Sequence, residues 1–126
     1  MSIRLSTGEF AALVVRAIAS IPDSLSSYLS NVVVDVEPTP DAEVCRAMEV
    51  DDPEELLGLY LGTPLTERGI EAEPALPDRI VIYQRNVEAV CDSSEDIVEE
   101  VRLTVLHEIG HHFGLDEDEL AELGYE

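Results

Sequence analysis

The sequence predicts an α+β fold with an N-terminal helix, a small β-sheet and a C-terminal helix, and three observations carry that expectation. Two segments, Val32–Glu37 and Arg79–Gln84, alternate their side chains with the period of two that marks a β-strand. From Ser94 to Phe113, apolar residues recur at four-residue steps, as on one face of a helix. An earlier helical pattern runs from Ser6 to Ile21. A length of 126 residues suits a single domain, 1–126, that buries one core.

The first helix is announced by Ser6 and Glu9, three residues apart as in a capping box, followed by Phe10, Leu13, Val14, Ala17, Ile18 and Ile21 at helical spacing. Pro22 stops it, and Leu25, Tyr28 and Leu29 suggest a further turn or two before Asn31. In the strand that follows, Val32, Val34 and Val36 share one face while Asp35 and Glu37 take the other; Pro38 and Pro40 end it. Between Asp41 and Thr66 the pattern supports at most short helices, with Asp41 and Asp52 as caps. Leu57, Leu59 and Leu61 alternate well enough for a short strand. Pro64 to Pro77 reads as a loop at the rim of a cleft. In the second clear strand, Ile80 and Ile82 face one way and Val81 and Tyr83 the other, so both faces should be covered.

The last helix has Ser93 as its expected N-cap, with acidic residues in the first turn where the helix dipole favours them. Ile97, Val101, Val105, Ile109 and Phe113 form its apolar stripe, widened by Val98 and Leu106. Gly114 stands where the helix should end in a left-handed residue.

The seven basic residues are all arginine, against 28 acidic ones, for a formal charge of −21. Such a chain repels phosphate backbones, so no nucleic-acid partner is expected; cationic peptides or metal ions suit the charge better, although a solvated acidic surface accounts for it without any partner. The apolar stretch Ala11–Ile21 is interrupted by Arg16, which gives neither a signal peptide nor a membrane span. A cytoplasmic location is expected, and Cys45 and Cys91 fit it as two reduced thiols.

The chemistry is concentrated in His107-Glu108-Ile109-Gly110-His111, within a stretch that holds every histidine of the chain. His107 and His111, four apart on a helix, project from one face where two imidazoles can hold a zinc ion. Glu108 lies about 100° round the helix, placed to reach a water on the open side of that ion as general base. Val98, Val105 and Ile109 lie opposite the histidines, turning them toward a cleft. Beyond Gly114 the chain can double back. In the longer His-Glu-x-x-His-x-x-Gly-x-x-His motif of metzincin-type peptidases a third ligand follows the glycine by three residues, and that position here is Glu117, with Asp116 its nearest competitor.

The chain resembles the small bacterial zincin-like metallopeptidases, a family with a minimal zincin, or matrix-metalloprotease-like, domain. The resemblance rests on His107 to Gly114 together with Leu56-Leu57-Gly58-Leu59-Tyr60, Pro64-Leu65-Thr66-Glu67-Arg68 and Leu76-Pro77-Asp78-Arg79-Ile80-Val81-Ile82-Tyr83. It implies a compact α+β zincin fold, zinc, and peptidase activity, and it implies that the strand beside the metal helix binds substrate backbone as an added strand. His112 is not carried over as a ligand.

The expected function is therefore zinc-dependent hydrolysis of a peptide bond in a peptide or protein substrate, with His107, His111 and Glu117 on Zn2+ and Glu108 as catalytic base. Tyr60, Arg79, Tyr83 and Tyr125 are candidate oxyanion donors. The alternative is a zinc-binding protein-interaction module with little or no peptidase activity, because the only methionines, Met1 and Met48, cannot supply the Met-turn that follows the third ligand in metzincins.

Overall fold

The computed structural model describes residues 3–62, 78–115 and 118–119. Helix α1 (Thr7–Ala19) begins with the capping box: Ser6 Oγ accepts from the Glu9 N–H at 3.1 Å, and Glu9 Oε1 accepts from the Ser6 N–H at 2.9 Å. Those contacts hold the Glu9 carboxyl below its ordinary range. Phe10, Leu13, Val14 and Ala17 are buried along its inner face. A short helix α2 (Asp23–Ser26) and a 3-10 turn (Ser27–Leu29) lead into strand β1 (Val32–Glu37).

Asp41 and Asp52 both cap as expected. Asp41 accepts from the Val44 N–H at the start of α3 (Ala42–Ala47), and Asp52 accepts from Glu54 N–H at a 3-10 turn over Pro53–Glu55. The alternating leucines form strand β2 (Gly58–Leu61), and strand β3 runs from Asp78 to Tyr83. The Pro64–Pro77 segment lies outside the described residues.

The three strands form one sheet in the order β1-β3-β2, with β1 parallel and β2 antiparallel to β3. On one face Ile80 and Ile82 pack with Val32, Val34 and Val36 into the main core; on the other Val81 and Tyr83 join Leu59, Val44 and Leu56. The central strand is therefore covered on both faces, as its pattern predicts. It is also paired along both edges, and this corrects one expectation: the strand at Arg79 cannot take an added substrate strand, because β1 and β2 already occupy its backbone groups.

A second correction concerns Gln84, which starts a helix instead of ending a strand. Helix α4 (Gln84–Ala89) buries Gln84, Asn86 and Glu88, each 3% exposed. The burial is tolerable because every one of them is hydrogen-bonded. Asn86 Nδ2 donates to the Pro53 and Leu56 carbonyls, both at 2.7 Å, and Glu88 accepts from the Leu5 N–H, Gln84 Nε2 and Arg85 Nη1.

Helix α5 (Ser94–Phe113) has the predicted bounds and N-cap, with Ser93 Oγ accepting from the Asp96 N–H at 3.1 Å. Ile97, Val101, Val105, Leu106 and Ile109 are buried against α1 and the sheet, whereas Phe113, the last of the stripe, is 42% exposed with its ring against Tyr28. Gly114 ends the helix at φ 70°, ψ 28°, and the Leu115 N–H closes the turn on the Gly110 carbonyl at 2.8 Å. Among the described residues no single helix is long and apolar enough to cross a membrane. Cys45 and Cys91 are free and buried; burial, reinforced by the negative charge of Glu100, Asp96 and Asp92, pushes the Cys91 thiol up to about 11.

Candidate metal centre

The last two turns of α5 bring together three side chains that could hold a metal ion. His107 and His111 are exposed and Glu108 is half-buried, and one ligand atom from each lies within 4.8 Å of the other two. The two imidazole rings are 4.2 Å apart, centre to centre. Tetrahedral zinc bound at 2.0–2.1 Å holds two ligand nitrogens about 3.3 Å apart, which side-chain rotation alone can reach from this arrangement. The donor set therefore fits zinc. The helix is fixed from behind: Val105 and Ile109 are fully buried on the side away from the histidines, so the pair cannot roll inward.

Glu108 is held differently from the histidines. Its Oε1 accepts a 2.9 Å hydrogen bond from the backbone N–H of Tyr60 in β2. The contact follows from strand register. The Tyr83 N–H donates to the Leu57 carbonyl, and Leu59 and Leu61 lie opposite Val81 and Arg79. Antiparallel partners alternate, so Gly58 and Tyr60 turn their backbone groups away from β3, toward the outer edge. One of those outward N–H groups thus reaches the carboxylate expected to act as base. Among the described residues, no hydrogen bond to the other oxygen, Oε2, accompanies it.

Of the remaining predicted residues, Glu117 and its competitor Asp116 lie outside the described residues, as does Tyr125. The described oxyanion candidates are committed elsewhere. The Tyr60 hydroxyl donates to Asp78 Oδ2 at 2.8 Å. Arg79 stands on the sheet face away from α5, where its hydrogen bond to Asp35 at 2.7 Å raises its pKa, with Glu37 at 3.5 Å as a second partner. Tyr83 is buried in the smaller cluster, where burial and then the charge of Glu37 raise its pKa.

His112 is not among the converging ligands. Its ring stacks on Tyr60 at 3.8 Å and 13°, and meets Phe113 edge-on. Sequence reading passes over Tyr60 as a partner of Glu108. No local signal could have found it, since the contact is made by a backbone group 48 residues away.

The family model for zincin-like metallopeptidase matches residues 29–125. Among solved structures, the chain is similar to a conserved hypothetical protein from Thermus thermophilus, at 28% identity and a TM-score of 0.56, over 86% of this chain and 94% of that one. No curated protein matches it.

Proposed function

The chain belongs to the zincin-like metallopeptidase family, and on that premise we propose that it is a zinc-dependent peptide-bond hydrolase, with His107, His111 and Glu117 holding the ion and Glu108 as general base. The observation that supports this reading best is the convergence of His107, Glu108 and His111 beside an edge strand that already grips one oxygen of Glu108. Zinc bound here would supply Lewis acidity, bringing the pKa of a water toward ~7 and polarising the substrate carbonyl.

The chain's own residues do the rest. Glu108 takes a proton on Oε2 as the water oxygen bonds to the carbonyl carbon, then delivers that proton to the nitrogen as the C–N bond breaks, leaving a carboxylic acid and an amine. The Tyr60 N–H at Oε1 keeps the carboxylate turned toward the site throughout. An extended peptide would not add along β3, which β1 and β2 flank on both sides. The charge of −21 favours cationic substrates over nucleic acids, and two buried free thiols support a cytoplasmic location.

One observation favours the alternative, a zinc-binding interaction module. Met48, at the end of α3, is 47% exposed, so it provides no methionine floor beneath the metal. A peptide library of mixed charge, incubated with zinc-loaded protein, separates the two. Cleavage by the wild type, retained zinc but no cleavage by Glu108→Gln, and lost zinc in His107→Ala are expected. A glutamine variant as fast as wild type removes Glu108 as the base, and a zinc-loaded wild type that cleaves nothing favours the module.

A further inference from the structure

The face of α5 that carries Glu108 continues one turn in each direction, to Thr104 and His112, and this row lies along β2 while His107 and His111 face outward. Tyr60 meets the row twice. Its N–H is bonded to Glu108, and its ring lies flat on His112, with centroids 3.8 Å apart and planes 13° off parallel. Its hydroxyl is tied at 2.8 Å to Asp78, the first residue of β3. His112 Nε2 is 3.9 Å from the same carboxylate oxygen, too far for a hydrogen bond, so the face of the ring is what engages Tyr60. Gly62 closes over the stack, where a Cβ would come within 3.3 Å of His112 Cε1.

We propose that Tyr60, His112 and Asp78 form a clasp that sets the position of Glu108, making Tyr60 and His112 positioning residues. The proposal rests on the reading of Glu108 as general base, but its first test does not. β2 is only four residues long, and the N–H that reaches Glu108 is not part of its ladder to β3. A strand so short can shift relative to the helix unless side chains pin it. Stacking on His112 fixes the height of Tyr60 along α5, and the Asp78 bond fixes the tilt of its ring. Together they hold the N–H over Oε1. Losing the clasp should leave zinc binding intact, since no proposed ligand is touched, but let the carboxylate turn away from the reacting water. Misplacements of about 1 Å cost up to roughly a hundredfold in rate.

The experiment follows amide hydrogen exchange of residue 60 by NMR, alongside the affinity for zinc alone. In Glu108→Ala the Tyr60 amide should lose its protection, which defines the unclasped rate. In His112→Ala it should accelerate by at least about tenfold toward that rate, while His112→Phe, which keeps an aromatic face, stays within about threefold of wild type. Zinc affinity should change by less than about threefold in both. If His112→Ala does not fold, His112→Gln replaces it, with the same expected acceleration. An unchanged Tyr60 amide in the alanine or glutamine variant, no rescue by phenylalanine, or loss of zinc on removing His112 would each overturn the proposal. On a cleaved peptide, His112→Ala should lower kcat with KM little changed, and phenylalanine should restore it. A protein that cleaves no peptide disproves the hydrolase reading while the exchange result still decides whether the clasp exists.

Discussion

Gly58 and Thr104 stand so close that no side chain fits between β2 and α5: a Cβ at residue 58 would lie 2.7 Å from Thr104 Cγ2 and 3.0 Å from the Val81 carbonyl oxygen. Neither neighbour is the end of a long flexible chain, so neither can swing aside. This approach brings the strand near enough for the Tyr60 N–H to reach Glu108 two residues later. Gly58→Ala should therefore cost about 1–3 kcal/mol by overpacking and weaken catalysis beyond its effect on stability. Gly8→Ala is the contrast. Nothing lies within 4 Å of a Cβ there and the residue is helical, so the change should stabilise by about 0.4–1 kcal/mol. Urea unfolding of both variants gives the two numbers and their opposite signs.

The elements legible in the sequence alone are those whose signals are local. Helix α5 is readable because Ser93 caps it, Gly114 ends it, and the apolar stripe between them is unbroken. The two histidines inherit their placement from that stripe. The both-sided burial of β3 is likewise visible in Ile80-Val81-Ile82-Tyr83, but its central place is not, because nothing in a strand's own pattern says which neighbours pair with it. Helix α4 escapes sequence reading for a physical reason. Its buried positions include Gln84, Asn86 and Glu88, polar residues that carry no apolar period and are tolerated through hydrogen-bond partners, several of them distant in sequence, such as Leu5 and Pro53. The Tyr60–His112 stack is equally non-local.

Glu88 should make part of the stability depend on pH. Burial acts to raise its pKa, but the hydrogen bonds from Gln84, the Leu5 N–H and Arg85 outweigh it, and the net shift is downward from the ordinary 4.5. A carboxyl whose folded pKa is depressed contributes stability that is fully present above its unfolded value and is lost as pH falls through the folded one. The contribution should thus be constant from pH 7 to about 5 and decline below about 4.5. Glu88→Gln should cost roughly 1.5–3 kcal/mol at pH 7, as expected for hydrogen bonds to a buried charge. The gap between variant and wild type should narrow as pH approaches 3. Urea titrations across that range test the sign, and a gap that widens in acid would refute it.

The third ligand is tested by a pair of neighbouring substitutions. Gly114 adopts φ 70° and ψ 28°, and the Leu115 N–H returns to Gly110, so α5 ends in a turn that redirects the chain directly after the histidines. In the longer metzincin motif the ligand comes three residues after such a glycine, the position of Glu117. Glutamate reaches one methylene further than aspartate, enough to meet zinc at about 2.0–2.2 Å, whereas Asp116, one residue nearer, would need a tighter return. A carboxylate ligand would also lower the site's net charge from +2 to +1, leaving a bound water less acidified than three histidines would. Glu117→Ala should accordingly weaken zinc affinity, by about ten- to a hundredfold if its loss resembles other losses of ligand support, while Asp116→Ala should leave it unchanged. Competition against a chelator of known affinity measures both. Equal affinities in wild type and Glu117→Ala would remove Glu117 from the shell, and a loss confined to Asp116→Ala would transfer the role to its neighbour; in either case His107 and His111 would remain the ion's anchor.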